Sequence, residues 1–348
     1  MEKFCAVSDA LVKPAVLFER AEASQRVVCR ACAHGCAIEP DARGICRVRY
    51  NDGGILNAPY GYVSALAVDP IEKKPFYHFL PNSKVLSYGM LGCNFSCSFC
   101  QNWEISQFLK GGAREPALDR VSAEEIISYA VNMKTPSIAS TYNEPFITSE
   151  WSFDLFTLAR KHGIRTVYVS NGFASERALS YIMPVLDACN VDLKSFNDET
   201  YRRIMGGRLR PVLDTIETLW RGGKWVEVTT LVVPGLNDSD SELAQIAEFV
   251  AGVSADMPWH VTAFHPMFKM TGVPGTGAET LARAVRAGRN AGLKYVYSGN
   301  MAGGPDENTV CPSCKKVIIE RQGFSVISKE MDGAQCRFCG CRIAGLFS

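Results

Sequence analysis

Residues 85–100 read VLSYGMLGCNFSCSFC, and this stretch decides the fold. Its first half is a short apolar run that predicts a buried strand, and its second half is a loop with Cys93, Cys97 and Cys100 in C-x3-C-x2-C spacing. Three thiolates on so short a loop can hold three corners of a cubane iron–sulfur cluster and leave one iron open for a ligand that is not protein. Zinc is the main alternative, but a structural zinc site needs four ligands, and neither His nor Cys lies close by in sequence to complete it.

Downstream of this loop the chain alternates β-branched apolar runs with amphipathic stretches, which predicts βα units around a parallel sheet. The predicted strands lie near 85–91, 137–143, 166–171, 189–194, 225–233, 259–265 and 294–299. The predicted helices lie near 122–133, 150–162, 176–186, 211–221, 239–251 and 277–291. Because no Gly-x-Gly-x-x-Gly follows an early strand, this pattern favours an α/β fold with a partial (β/α)6 barrel over 85–300, and not a doubly wound sheet.

Polar residues recur where these strands end, and barrels of this kind place their chemistry at the carboxyl ends of their strands. So regular a recurrence predicts one shared site, although polar residues often gather where strands meet loops. After the cysteine loop its candidates are Asn143, Glu144, Ser170, Asn171, Asp192, Lys194, Val233, His265 and Asn300.

The composition indicates a folded protein without a strong field of either sign. Of 348 residues, 47% are hydrophobic and 21% charged, and 37 basic against 36 acidic residues leave a net charge of +1. This balance argues against partners that are nucleic acids or anionic membranes. No apolar run approaches the roughly 18 residues of a membrane span, and charged residues interrupt the N-terminus, so we expect no signal peptide. We therefore expect a cytoplasmic protein whose 14 cysteines are metal ligands or catalytic groups before they are disulfides.

Residues 301–348 form a tail, joined through the linker AGGPDENT, with a second cysteine group. Its two C-x2-C knuckles, here called the C-terminal knot, are Cys311, Cys314, Cys336 and Cys339. The spacing is typical of a zinc ribbon or a rubredoxin-type site, in which four thiolates surround one zinc or iron ion. A tail this short needs such a metal to fold, so we expect a structural role. Cys341 is left over, and is either unliganded or exchanges with Cys339.

The N-terminal region, residues 1–84, carries a third cysteine group in C-x2-C-x3-C-x9-C spacing. Its members, here called the N-terminal knot, are Cys29, Cys32, Cys36 and Cys46. Its compact spacing suits a zinc site and an auxiliary iron–sulfur cluster equally, and both interpretations stay open. The gap 101–136 contains no cysteine, so any auxiliary electron-transfer site lies in this knot or is absent.

At this point the sequence resembles the radical S-adenosylmethionine superfamily. The signature of that superfamily, C-x3-C-x-aromatic-C, is matched by Cys93, Cys97, Phe99 and Cys100. The stretch DPIEKKPFYHFLPNSKVLSYGMLGCNFSCSFCQNWEIS, together with TYNEP, VSNG, VDLKS and HVTAFHP downstream, is similar to the branch of pyruvate formate-lyase activating-enzyme relatives. Within that branch it most resembles the radical enzyme of the AmmeMemoRadiSam system.

This resemblance implies two cofactors, a reduced [4Fe-4S] cluster and S-adenosylmethionine. The open iron would chelate the methionyl amino and carboxylate groups, and electron transfer would break the bond from sulfur to C5′ to yield a 5′-deoxyadenosyl radical. The implied reductant is a partner protein such as flavodoxin or ferredoxin, and the implied chemistry is anaerobic.

The resemblance also implies roles for individual residues. Glu144 occupies the position that receives the methionyl amino group, in Tyr-Asn-Glu-Pro where many relatives carry Gly-Gly-Glu-Pro. The remaining matches are Ser170 and Asn171 at the ribose, Asp192 and Lys194 toward the carboxylate, and Val233 and His265 at the adenine. Alternatively, Asp192 and Lys194 form a purely structural ion pair on one strand face, and His265 is a hydrogen-bonded core histidine.

The substrate is open. One hypothesis is hydrogen abstraction from a small molecule or a protein residue, and another is an activase that acts on a glycine of a partner enzyme. The rival without catalysis is a zinc-stapled binding protein built on the same barrel.

Overall fold

A computed structural model of the chain describes residues 11–20, 25–111, 117–301 and 306–348. Cys5, the start of the N-terminus and the first half of the predicted linker, 302–305, lie outside the described residues. The division into regions 1–84, 85–300 and 301–348 stays a prediction.

An eight-stranded sheet forms the centre of the molecule. Its strands are β1 (Ala65–Pro70), β2 (Lys84–Gly89), β3 (Ser137–Ser140), β4 (Arg165–Ser170), β5 (Ala188–Asp192), β6 (Trp225–Val232), β7 (Trp259–Ala263) and β8 (Val296–Gly299). They lie in the order β8-β7-β6-β5-β4-β3-β2-β1, with β2 to β8 parallel and β1 antiparallel to β2. The seven predicted strands are confirmed. They could be predicted because a strand that is covered on both faces has a continuous apolar sequence. The edge strand β1 was not predicted from the sequence. Its apolar run is short, ALAV at 65–68, and the strand is only partly buried.

Six helices follow the strands and pack against the sheet, which confirms the predicted partial (β/α)6 barrel. They are α1 (Ala123–Asn132), α2 (Ser149–Lys161), α3 (Glu176–Ile182), α4 (Leu209–Arg221), α5 (Asp240–Val253) and α6 (Ala278–Asn290). Serine side chains accept backbone N–H groups at three of their starts, at Ser122, Ser175 and Ser239. Shorter helical segments lie at Ile71–Lys73, Trp103–Ser106, Phe108–Lys110, Pro145–Thr148, Met183–Val185, Asp198–Thr200 and Tyr201–Met205.

Small antiparallel sheets flank the barrel at both ends of the chain. On the N-terminal side they comprise Phe18–Arg20 with Val27–Cys29 and Ala37–Ile38, Val12–Pro14 with Ile55–Pro59 and Tyr50–Asp52, and Tyr62–Val63 with Asp119–Arg120. In the tail they comprise Thr309–Val310 with Val317–Gln322 and Ser325–Lys329, and Met331–Asp332 with Gln335–Cys336.

The tail is docked on the barrel by buried polar contacts. His78 lies with Nδ1 2.7 Å from the Ala344 carbonyl oxygen and with Nε2 2.6 Å from the Tyr297 hydroxyl. Glu227 of β6 fixes the segment around His78, because its carboxylate accepts the backbone N–H groups of Tyr77 and His78 at 2.9 and 2.8 Å. The tail is therefore an integral wall of the barrel in the described structure. Among the described residues, no helix has both the length and the apolar character needed to cross a membrane.

Candidate active site

A cavity of about 950 Å³ begins at the carboxyl ends of the strands and extends into the barrel. Loops after β2, β3 and β4 contribute Cys93, Asn143 and Asn171 to its wall, and β5 contributes Asp192 together with Lys194 just beyond its end. Since these elements are parallel neighbours, side chains far apart in sequence meet at one edge of the sheet. The shared site that was predicted at the carboxyl ends of the strands therefore coincides with a cavity.

The radical loop, residues 93–100, is held by side chains that donate hydrogen bonds to its backbone carbonyl oxygens. The Lys110 ammonium donates to the carbonyl oxygens of Cys93 and Phe95 at 2.7 and 2.8 Å, and Gln107 Nε2 donates to Phe95 at 3.0 Å. Gly92 enters the loop with φ +88°, and an added Cβ would lie 2.8 Å from Val48 Cγ1. Only glycine tolerates both the positive φ and this close approach.

The thiols of the radical loop fit a cluster better than a single ion. Cys93, Cys97 and Cys100 line the cavity, and no other cysteine of the described residues does so. Their sulfur atoms are not all within 4.8 Å of one another, which the ligands of one ion would be. In a cubane each thiolate binds a different iron, so a wider spread suits it. Burial raises the pKa of Cys97 to about 12 and the nearby Lys194 ammonium opposes this rise, so cationic charge is at hand for bound thiolates.

Glu144 is fully buried beside the radical loop and is held in one orientation. Its carboxylate accepts three hydrogen bonds, from Ser170 Oγ at 2.8 Å, from the Asn171 N–H at 2.9 Å and from the Phe146 N–H at 3.0 Å. Burial nevertheless raises the pKa of Glu144 to about 7, since desolvation outweighs these bonds. A cationic or strongly donating group in the cavity would favour the carboxylate form.

Asp192 and Lys194 form a close ion pair in the cavity wall. Lys194 Nζ donates to Asp192 Oδ2 at 2.8 Å, and the lysine backbone N–H donates to the Tyr201 hydroxyl at 3.0 Å. Burial by itself lowers the pKa of Lys194, but the Asp192 carboxylate and the Cys97 thiol outweigh it and raise the pKa. The ammonium therefore stays charged within reach of the radical loop. This geometry is compatible with both predicted roles, the cofactor contact and the structural pair.

The other predicted site residues differ in their access to the cavity. Phe99 and Asn143 line it, and the Asn143 side chain also accepts the Met90 N–H at 3.1 Å, which ties it to the segment between β2 and the radical loop. Ser170 lies behind Glu144, to which it donates. Val233 and His265 are not among the lining residues: Val233 is buried, and exposed His265 lies with Nε2 2.9 Å from the Asn300 carbonyl oxygen. Their predicted adenine contacts stay predictions.

Several wall residues have no role in the sequence-based site. Tyr142 lies at φ +70° and donates its hydroxyl to Asp69 Oδ2 at 2.7 Å, while Lys74 Nζ lies 4.2 Å from the centre of its ring. Burial lowers the pKa of Lys74 to about 8 against the opposing Asp69 carboxylate. The sequence signal was present in the run KKPFYHF before β2, but nothing in it reveals that the run folds back onto the loop after β3.

The tail also contributes to the cavity. Its residues in the cavity wall lie far from the radical loop in sequence, and they are Glu307, Gln322, Gly323 and Phe324. Arg321 holds this part of the tail in place, because its guanidinium donates to the Tyr77 carbonyl oxygen at 3.0 Å and to Thr309 Oγ1 at 2.8 Å. The predicted role of the tail was structural only, and these contacts add a second task, that of bounding the cavity.

The C-terminal knot has the geometry of a site for a single ion. Its four sulfur atoms all lie within 4.8 Å of one another, with Cys311 to Cys339 at 3.7 Å and Cys314 to Cys336 at 3.8 Å. Ligands on one tetrahedral ion with metal–sulfur bonds of about 2.3 Å are separated by about 3.8 Å. These four residues could therefore bind one metal ion. Cys341 is outside the set.

Three comparisons bear on this site. A family model described as the Radical SAM superfamily matches residues 88–250. An uncharacterized protein of Methanocaldococcus jannaschii is 39% identical over 95% of this chain and 99% of its own length. The pyruvate formate-lyase 1-activating enzyme of Escherichia coli is 24% identical over 59% of this chain and 89% of its own. Among solved structures, Streptococcus suis SuiB bound to precursor peptide SuiA is similar, with a TM-score of 0.49 and 14% identity over 66% of this chain and 51% of its own.

Proposed function

The chain belongs to the radical SAM superfamily, in its activating-enzyme-like branch, and from this membership we propose that it cleaves S-adenosylmethionine reductively at a [4Fe-4S] cluster held by Cys93, Cys97 and Cys100. When bound, the cluster supplies one electron to the sulfonium, and cleavage gives methionine and a 5′-deoxyadenosyl radical for hydrogen abstraction. The observation that carries the proposal is that three thiols, and no fourth among the described residues, line a cavity whose wall also contains Glu144 and Lys194.

The cofactor-binding roles follow from chemistry in that wall. Glu144 would accept the methionyl amino group, and its three hydrogen bonds keep its carboxylate aimed at one place. Lys194 would pair with the methionyl carboxylate, with Asp192 holding its ammonium. Asn171 and Ser170 would serve the ribose, and Asn171 Nδ2 lies 3.7 Å from Cys93 Sγ. The electron would come from a protein of the flavodoxin or ferredoxin class.

A protein substrate is the finer candidate that the relatives favour. The pyruvate formate-lyase 1-activating enzyme carries a protein target in its name, and this chain is similar to most of its length. We therefore propose a protein residue as the site of hydrogen abstraction, with glycyl-radical activation as one form of it. The cavity wall formed by Lys73, Lys74 and Glu307 is polar and charged, and this character suits a peptide backbone as well as a polar small molecule.

The cluster assignment is tested with a variant in which Cys93, Cys97 and Cys100 are replaced by Ala. After anaerobic reconstitution and reduction, we expect no 5′-deoxyadenosine above background. The fold should survive, because replacing the cysteines with Ala leaves Phe95 and Phe99 of the loop buried in the core. C189A, at a buried cysteine outside the three groups, is the matched control and should retain cleavage. Undiminished 5′-deoxyadenosine formation by the triple variant would contradict the assignment.

The role of Lys194 is tested with Lys194→Met. A charge-assisted bond is worth roughly 1.5 to 3 kcal/mol, so the dissociation constant of S-adenosylmethionine should rise about tenfold or more. The iron content should not change. Lys84→Met, at the exposed amino end of β2, is the matched control and should bind as the wild type does. An unchanged dissociation constant in Lys194→Met would mean that Lys194 only forms a structural ion pair with Asp192.

A further inference from the structure

We propose that the N-terminal knot binds a second iron–sulfur cluster of the cubane type, and not a zinc ion. The site is separate from the radical loop. It is argued from the arrangement of its own side chains, and its test counts iron and sulfide and does not depend on the reaction proposed above.

The chain brings the four thiols of the knot together. Cys29 ends the strand Val27–Cys29, which pairs with the strand Ala37–Ile38 that follows Cys36, and the Cys29 N–H donates to the Cys36 carbonyl oxygen at 2.9 Å. Cys46 returns from the next loop, where Gly44 lies against the Cys36 side chain. The thiols are near enough that each interacts electrostatically with the other three. A single ligand group of four cysteines is therefore present.

The separation of the sulfur atoms decides between one ion and a cluster. In the C-terminal knot the sulfurs satisfy the spacing of a single tetrahedral ion, at 3.7 and 3.8 Å. In the N-terminal knot no three sulfur atoms lie within 4.8 Å of one another, although all four residues belong to the described part of the chain. In a cubane each thiolate binds its own iron, so the ligands stand farther apart than on one ion. The knot is too wide for zinc and suits a cluster.

A buried cation beside the knot indicates an anionic occupant. The Arg49 side chain is 1% exposed, and it donates from Nε to the Ile147 carbonyl oxygen at 2.8 Å and pairs through Nη2 with Glu150. Its remaining nitrogen, Nη1, is buried and has no hydrogen-bond partner among the described residues. The guanidinium also interacts electrostatically with Cys29 and Cys46. A metal group with four thiolate ligands carries net negative charge, whether it is a zinc ion or a cubane, and Arg49 would compensate part of it. The arginine therefore supports a metal group in the knot, and the separation of the sulfur atoms favours the cubane.

The burial of the knot agrees with this occupant. Cys29, Cys32 and Cys46 are buried and Cys36 is half-buried. His34, between the second and third cysteines, lies with Nε2 2.9 Å from the Asn94 carbonyl oxygen in the radical loop. Gly92 packs on the backbone of Cys46, where an added Cβ would lie 2.9 Å from the carbonyl oxygen. The second cluster would therefore sit directly against the radical loop, and its loss would loosen that contact.

The experiment counts acid-labile sulfide, because a zinc or iron ion in the C-terminal knot contributes none. In the full chain, reconstituted anaerobically with iron and sulfide, we expect about eight sulfides and at least eight irons per chain, corresponding to two cubanes. The loop variant, with Ala at the three cysteines of the radical loop, should keep about four of each and show the electron paramagnetic resonance of a reduced cubane. The knot variant, with Ala at the four knot cysteines, should also keep about four, and C189A should keep all eight.

The outcomes separate this proposal from the proposed function. A loop variant without sulfide, or one zinc in place of iron in the knot, would overturn the second cluster. A wild type with about four sulfides, all retained by the knot variant, would overturn it as well. About four sulfides in the wild type, retained by the loop variant, would support the second cluster and contradict the cluster of the radical loop instead. If the knot variant does not fold, the wild type and the loop variant still decide.

Discussion

The N-terminal and C-terminal knots each contain four cysteines, yet they differ in how deeply the thiols are buried and in how far apart the sulfur atoms lie. The C-terminal thiols lie within 4.8 Å of one another, and one of them, Cys339, is exposed. The N-terminal thiols are spread wider, three of the four are buried, and a buried arginine stands beside them. The number of ligands therefore does not determine what a cysteine group binds. Under the second-cluster proposal, the separation of the sulfur atoms does.

The two knots also depend on the rest of the molecule in different ways. The C-terminal knot closes on itself, with backbone bonds such as that from the Cys336 N–H to the Cys341 carbonyl oxygen at 2.9 Å. The N-terminal knot is completed by the barrel, since Glu150 of α2 holds Arg49 and Asn94 of the radical loop contacts His34. We therefore expect metal loss to act locally in the tail and to be felt in the barrel for the N-terminal knot.

The largest effect is expected from removing the metal of the C-terminal knot. Binding of one structural zinc in small domains is worth about 10–16 kcal/mol. The apolar core of the tail is small and includes two of the knot's own cysteines, Cys311 and Cys336, so it cannot replace the metal. In C311A/C314A we expect loss of one metal ion per chain and rapid proteolysis after residue 306, with the barrel intact. Metal analysis and limited proteolysis measure both. If the tail of the variant resisted proteolysis as well as that of the wild type, the proposed difference between the two knots would be contradicted.

The next effect is expected from the buried charge beside the N-terminal knot. Arg49→Met leaves the Glu150 carboxylate buried without its charged partner, which typically costs about 3–5 kcal/mol of folding free energy. Unfolding in urea measures the loss, and iron content reports on the knot at the same time. Arg210→Met, in the exposed pair with Asp214, is the matched control and should change the stability far less. Equal effects of the two variants would remove the distinction between a buried and an exposed charge.

A smaller effect concerns acid and the docking of the tail. Burial lowers the pKa of His78 to about 4, with the Glu227 carboxylate opposing the shift and the Arg321 guanidinium adding to it. The unfolded chain takes up this proton near pH 6.5, so the contribution to stability is lost as the pH falls from about 6.5 to about 4. Between pH 7 and pH 5 the free energy of unfolding of the apoprotein should drop by about 2 kcal/mol more in the wild type than in His78→Gln. Parallel pH profiles of the two proteins would contradict this.

The smallest effect is expected at Cys341. Its sulfur is outside the compact set of four and donates weakly to the Arg342 carbonyl oxygen at 3.6 Å. C341A should therefore keep one metal ion per chain with unchanged resistance to a competing chelator, whereas C339A should lose it. If C341A loses the ion and C339A keeps it, Cys341 is the fourth ligand in place of Cys339. If each single variant keeps the ion and only the double variant loses it, the two thiols exchange.

The sequence by itself determined those features that depend on neighbours along the chain. The apolar runs of the parallel strands predicted all seven of them, because a strand that is covered on both faces does not alternate between apolar and polar residues. The two knuckles at Cys311 and Cys336 predicted a compact four-thiol site, because a C-x2-C turn brings its own two ligands together. The spacing of Cys93, Cys97 and Cys100 indicated an open cluster for the same local reason, and the family membership agrees with it.

Only the tertiary structure decided the features that depend on contacts between distant segments. No sequence spacing reveals that no three sulfur atoms of the N-terminal knot lie within 4.8 Å of one another, since their separation is set by the packing of small sheets on the barrel. The same holds for Phe324 of the tail in the cavity wall and for Tyr142 over Asp69. Sequence pattern reports burial and local turns, whereas the distance between two segments is fixed by the close packing of everything between them.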